Sequence, residues 1–79
     1  MDKKVYSIWI KDFMKTHQIR QCQLAKKSGI HSNTIQSYRS GRNLPNLFNA
    51  VLIATALSMI SGIERKEILE SMSVAALKG

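Results

Sequence analysis

Apolar residues recur every three or four positions along most of this chain, and glycine or proline separates the blocks in which they do so. Tyr6, Trp9, Ile10 and Phe13 show this spacing in the first block, which is typical of an α-helix with one buried face. No stretch alternates apolar and polar residues for long, so β-strands are not predicted. We therefore expect an all-α protein.

The breaks between the blocks divide the chain into five predicted helices. Gly29, Gly41 and Gly62 fall between apolar blocks, where helix boundaries belong. The predicted helices cover about residues 4–17, 21–28, 32–40, a segment that starts after Pro45, and 65–77. A chain of 79 residues without a linker is expected to form one domain, 1–79.

The cysteine content and the apolar runs exclude several classes of protein. Cys22 is the only cysteine, so an internal disulfide is excluded, and no His/Cys cluster has the spacing of a zinc site. The apolar run at 50–60 is shorter than the roughly 20 residues that span a bilayer, and the N-terminus lacks the apolar core of a secretory signal. We expect a cytoplasmic protein without cofactor, metal or small-molecule ligand.

The net positive charge of the chain lies entirely in its first half. Residues 1–43 hold nine basic and two acidic residues, whereas residues 44–79 hold three of each, so the first part carries the whole net charge of +7. A basic field on one side of a protein favours a polyanionic partner, either nucleic acid or an anionic membrane.

Residues 21–40 have the layout of two short helices joined by a sharp turn. Gly29 can adopt the left-handed backbone that ends a helix, and Ile30 after it is expected to be buried. Ile35 and Tyr38 give the second helix a buried edge, which leaves its other side exposed. The polar residues on that side are Ser32, Asn33, Gln36 and Ser37. This is a helix-turn-helix, and amides and hydroxyls are groups that can contact base edges in the major groove of DNA.

The same region resembles the lambda-repressor-like helix-turn-helix proteins, the Xre/Cro/cI group. The resemblance covers residues 21–57 and is strengthened by the segment "GRNLPNL…IATAL", which is similar to the loop and fourth helix of that family. The matching residues are Gln21, Leu24, Ala25, Gly29, Ile30, Ile35, Tyr38, Gly41, Pro45, Leu47, Ile53, Ala54, Ala56 and Leu57. It implies a five-helix DNA-binding domain that acts as a homodimer on a palindromic operator.

The resemblance also implies roles for individual residues. Gln21 matches a glutamine that contacts a phosphate, and the four polar residues of the third helix match base-contacting positions. Ser40, Arg42 and Asn43 match the loop that lies along the DNA backbone.

The chain departs from the family pattern at three places. Arg39 stands where glutamate is common, and it adds a phosphate or base contact. His31 replaces the usual Ser or Thr cap; because histidine caps poorly, Ser32 is expected to take that role. The segment "SMIS" before Gly62 resembles an insertion that lengthens the fourth helix by about one turn.

The last predicted helix has two apolar edges. One closes the core, and the other is expected to form a symmetric dimer contact through Ile63, Val74 and Leu77. The resemblance implies a dimeric transcriptional repressor of the Cro kind, as in a phage or plasmid switch, that acts in the cytoplasm of a bacterial or phage-infected cell without membrane contact.

Several alternatives remain open. A controller protein of a restriction-modification system and an antitoxin that represses its own operon share the same DNA chemistry. An adaptor that keeps the fold but binds protein is an alternative of another class, and an enzyme is not expected because none of the five acidic residues is placed with a histidine.

Overall fold

The computed structural model of the chain describes residues 2–77, with side chains described as far as Val74. Within that range it contains five helices and no strand: α1 (Lys3–Thr16), α2 (Gln21–Ser28), α3 (Ser32–Arg39), α4 (Leu47–Ser61) and α5 (Arg65–Leu77). The predicted all-α fold with five helices is confirmed. The bounds of α2 and α5 are those predicted, while α1 begins and ends one residue earlier and α3 ends one residue earlier.

The ends of the first helices follow from their local sequence. The Asp2 carboxylate accepts a hydrogen bond from the Lys4 N–H at 2.9 Å and so caps α1. Gly29 ends α2 with a φ of +75°, a conformation that is costly for residues with a Cβ, and its N–H donates to the Ala25 carbonyl at 2.9 Å. The chain therefore turns sharply between α2 and α3.

Helix α4 includes the "SMIS" segment as its last turn. The Asn46 side chain caps its start by accepting from the Asn49 N–H at 2.7 Å, and Gly62, with a φ of +81°, ends it. The segment is therefore helical, and α5 begins after a short connection at 62–64. That this turn is additional to the fourth helix of the family stays a prediction.

The core lies where α1 packs on α3 and α5, α2 packs on α3 and α4, and α4 packs on α5. Tyr6 is 1% exposed, and its hydroxyl donates to the Met72 sulfur at 3.7 Å. Burial raises the pKa of the Tyr6 hydroxyl, and the charge of an ionised Tyr38 raises it further. The buried apolar residues are Tyr6, Ile10, Met14, Ile19, Leu24, Ile30, Ile35, Tyr38, Ile53, Ala54, Ala56, Leu57, Ile68 and Met72.

The aromatic residues of α1 are not equally buried. Trp9 and Phe13 pack only partly against the core, and the Trp9 indole N–H donates to the Ser71 hydroxyl at 2.7 Å. This bond ties the exposed edge of α1 to α5.

Candidate nucleic-acid interface

Helix α3 has one edge inside the protein and the opposite edge in solvent. Ile35 is 0% and Tyr38 is 4% exposed, and the Tyr38 hydroxyl accepts a hydrogen bond from Nδ2 of Asn49 in α4 at 2.9 Å. These contacts fix the rotation of α3 about its own axis. Asn33 and Gln36 lie on the exposed edge, so the structure presents two neutral amides to solvent from a rigidly held helix.

The side chain of Gln21 connects the start of α2 to both ends of α3. Its Nε2 donates to the hydroxyl of Ser32 at 2.8 Å and to the Ser32 carbonyl at 3.1 Å. Its Oε1 accepts a hydrogen bond from Nη1 of Arg39 at 2.8 Å. Gln21 is half-buried, and both functional groups of its amide are engaged within the protein.

Arg39 is held against the protein rather than extended into solvent. It is half-buried, and its Nε is buried with no hydrogen-bond partner among the described residues. The residue therefore places its charge at the C-terminal end of α3, beside the start of α2.

His31, not Ser32, caps α3. The Nδ1 atom of His31 accepts a hydrogen bond from the Asn33 N–H at 3.1 Å, so the expectation that Ser32 caps the helix is wrong. The reason is positional, because Ser32 is already the first residue of α3 and its hydroxyl accepts from Gln21. The imidazole thus bonds a backbone N–H of the first helical turn, which has no partner within the helix and which a Ser or Thr cap would otherwise bind.

Ser37 faces the protein. It is 8% exposed, its hydroxyl donates to the Thr34 carbonyl at 2.6 Å, and it lines a shallow depression between α3 and the following loop. Of the four residues expected to contact bases, Asn33 and Gln36 are open to solvent, Ser32 is half-buried and bonded to Gln21, and Ser37 is buried. The burial of Ser37 leaves almost no surface with which it could contact a base.

The loop after α3 is folded back on that helix. The backbone N–H groups of Arg42 and Asn43 both donate to the Ser37 carbonyl, at 3.0 and 3.2 Å, and the Ser40 hydroxyl accepts from Nε of Arg42 at 3.3 Å. The side chains of Ser40, Arg42 and Asn43 are exposed. The structure thus brings these three expected phosphate-binding residues together beside the C-terminal end of α3.

Helix α1 supports this loop from the other side. The Ser7 hydroxyl donates to the Arg39 carbonyl, and a Cβ at Gly41 would lie 3.7 Å from Cβ of Ser7 and 3.9 Å from the Lys3 carbonyl oxygen. Ser7 contributes to this support, and no pattern in the sequence indicates it. The first turn of α1, with the exposed Lys3 and Lys4, therefore lies next to the loop that carries Arg42.

The two described residues among those expected to form a dimer contact differ in exposure. Ile63 precedes α5 and is packed against the core, whereas Val74 is 54% exposed. Leu77 ends α5, but its side chain lies outside the described part of the chain.

Comparison with known proteins gives one match. A family model described as helix-turn-helix matches residues 10–61, a segment that starts within α1 and ends with the last residue of α4. The match includes all of α2, α3 and the loop at 40–46. No curated protein and no solved structure matches the chain.

Two features are absent from the described residues. None of the helices has the length and apolar character needed to cross a bilayer. No group of three or more His, Cys, Asp or Glu side chains in the described part of the chain is arranged to hold a metal ion.

Proposed function

Because this chain belongs to the helix-turn-helix family of lambda-repressor-like DNA-binding regulators, we propose that it is a dimeric transcriptional repressor that binds a palindromic operator in double-stranded DNA. The operator is recognised in the major groove through α3. Repression follows from occupation of a promoter, as in a phage switch of the Cro kind.

The exposure of Asn33 and Gln36 on a core-anchored helix carries the proposal. A side-chain amide can donate its N–H to N7 of adenine and accept, through its oxygen, from the N6 amino group, and this bidentate pair distinguishes adenine from the other bases. Both amides lie within the first turns of α3, the part of a recognition helix that enters the groove. Ser32 acts through its bond to Gln21, and Ser37 stays inside the protein.

Phosphate contacts come from the surroundings of α3. Arg42 and Asn43 are exposed in the loop, and Lys3 and Lys4 lie on the neighbouring turn of α1. The net charge of +7 in residues 1–43 supplies the long-range attraction to DNA. Because contacts with phosphates release counterions from the DNA, the affinity is sensitive to salt. Gln21 and Arg39 border the same surface.

The test is selection of bound sites from a pool of random duplexes, followed by affinity measurements on the selected site against salt concentration. We expect an enriched site with two-fold symmetry whose half-sites are centred about 34 Å apart, and a steep fall in affinity as salt rises. Failure to enrich any site would contradict sequence-specific recognition. A flat salt dependence would favour the protein-binding adaptor instead.

A further inference from the structure

Helix α4 is apolar on all sides, although only one of its sides faces the core. Its 15 residues include no charged side chain. A helix that is apolar all round is normally covered all round, yet Phe48 is 72% and Met59 is 64% exposed. Leu52 and Thr55, which lie between them along the same side, are half-buried.

These four residues form a regular stripe. Phe48, Leu52, Thr55 and Met59 are spaced by four, three and four positions, which is the spacing of the seam in a two-helix coiled coil. The one polar group on the stripe has its hydrogen bond within the helix, because the Thr55 hydroxyl donates to the Val51 carbonyl at 2.8 Å. The methyl group of Thr55 is left for packing. We call these four residues the α4 stripe.

We propose that the α4 stripe is the dimer interface, covered by the α4 stripe of a second copy running antiparallel to it. The inference rests on the proposed function, which requires a dimer, and it names the surface that forms it. It moves the contact from the α5 residues expected from the sequence to the outer side of α4.

The stripe is complementary to itself when two copies are related by a two-fold axis. The sequence of the stripe is symmetric in spacing about the point between Ile53 and Ala54. Phe48 and Met59 lie equally far from that point on opposite sides, and so do Leu52 and Thr55. In an antiparallel pair, each Phe48 therefore meets Met59 of the second copy, and each Leu52 meets the smaller Thr55. A flexible thioether against an aromatic ring and a large residue against a small one are favourable contacts, and the contact is isologous.

The charge distribution is compatible with a second copy on the stripe. Two chains that each carry +7 repel one another, but the excess lies before residue 44, outside α4. The α5 surface around Val74 differs, because its shallow groove is lined by Glu64, Arg65, Lys66 and Glu70. The α4 stripe, by contrast, offers a partner an apolar surface without a charged side chain.

The stripe is small compared with the roughly 800 Å² per partner of a stable protein complex. We therefore expect a reversible dimer in free solution that is strengthened when both copies bind adjacent half-sites, since linked binding raises the effective concentration.

The test is sedimentation equilibrium of the full chain and three variants: Phe48→Glu, Met59→Lys and the double variant. Both positions are exposed, Glu and Lys are good helix formers, and each charge is favourable at its end of the helix, so the fold is retained; circular dichroism checks this. We expect dimerisation of the unmodified chain, an increase of about tenfold or more in the dimer dissociation constant for each single variant, and recovery in the double variant. The recovered dimer should weaken with added salt, because its new contacts are ion pairs.

Two control variants locate the contact. Ile8→Glu places a charge at a residue of α1 that is 56% exposed, and Val74→Glu does so on α5, where Val74 is 54% exposed; neither should change dimerisation. A monomeric unmodified chain at all concentrations, or dissociation by Val74→Glu but not by Phe48→Glu, would overturn the proposal. Failure of the double variant to recover would overturn the antiparallel pairing. Site selection and salt dependence with the same proteins test the proposed function separately.

Discussion

The side-chain amide of Gln21 donates to the hydroxyl of Ser32 at 2.8 Å, across the turn between α2 and α3. With its bond from Arg39, this residue holds α3 at both ends. We expect Gln21→Ala to lower the free energy of unfolding by about 1–2 kcal/mol, since each bond contributes about 0.5–1.5 kcal/mol. Urea denaturation measures this. Gln23→Ala is the control, because Gln23 is exposed and accepts only a 3.4 Å bond from the Arg20 N–H.

The two exposed amides of α3 should carry sequence preference. Asn33→Ala or Gln36→Ala should cost about 1–3 kcal/mol of binding free energy at the selected site and little on random duplex. Ser37→Ala is a matched change on the buried side of the same helix and should leave the preference unaltered. Competition binding against random DNA distinguishes these outcomes, and an equal loss on both DNAs would show that the amides do not contact bases.

The exposed loop arginine should act through charge alone. Arg42→Ala is expected to weaken binding to specific and random DNA alike, and to reduce the slope of log affinity against log salt by about 1. Arg65→Ala removes an exposed arginine at the start of α5, away from the loop, and should leave the slope unchanged. Titrations at several salt concentrations provide the comparison.

The cap of α3 depends on an acceptor at His31. His31→Ala leaves the Asn33 N–H without its partner and should lower the free energy of unfolding by about 0.5–2 kcal/mol. His31→Asn keeps a capping oxygen and should retain most of the stability. If both variants unfold at the same denaturant concentration as the unmodified chain, the Nδ1 bond makes no net contribution.

The buried hydroxyl of Tyr6 predicts a loss of stability in alkali. Burial, with a contribution from Tyr38, raises the pKa of Tyr6 above its usual 10.0, so above pH 10 the unfolded chain releases a proton that the folded protein keeps. The free energy of unfolding should then fall by up to about 1.4 kcal/mol per pH unit. In the Tyr6→Phe variant, which lacks this hydroxyl, the corresponding loss of stability above pH 10 should be absent. Stability curves of both proteins between pH 8 and 11 measure the difference.

The helices could be predicted from the sequence because local signals determine them. Apolar spacing placed α2 and α5, and Gly29 and Gly62 lie where two helices end. The exposed positions of Asn33 and Gln36 follow from the buried Ile35 and Tyr38 by helical geometry alone.

The interactions between side chains could not be predicted in the same way. Ser37 is adjacent to Gln36 in sequence, but its burial depends on the loop at 40–46 folding back over it. The bond between Arg39 and Gln21 joins residues 18 positions apart. The choice of His31 over Ser32 as cap depends on where α3 begins and on the bond from Gln21 to the Ser32 hydroxyl. Such contacts depend on tertiary structure, which the spacing of residues does not encode.

The close approach of Gly41 to Ser7 has a consequence for the thermodynamics of recognition. The connection that carries Arg42 is already ordered against α1 before any ligand arrives, so little conformational entropy remains to be lost on docking. We therefore expect calorimetry to record a heat-capacity change of binding that is explained by the surface buried between two rigid partners. The larger change that accompanies coupled folding should be absent.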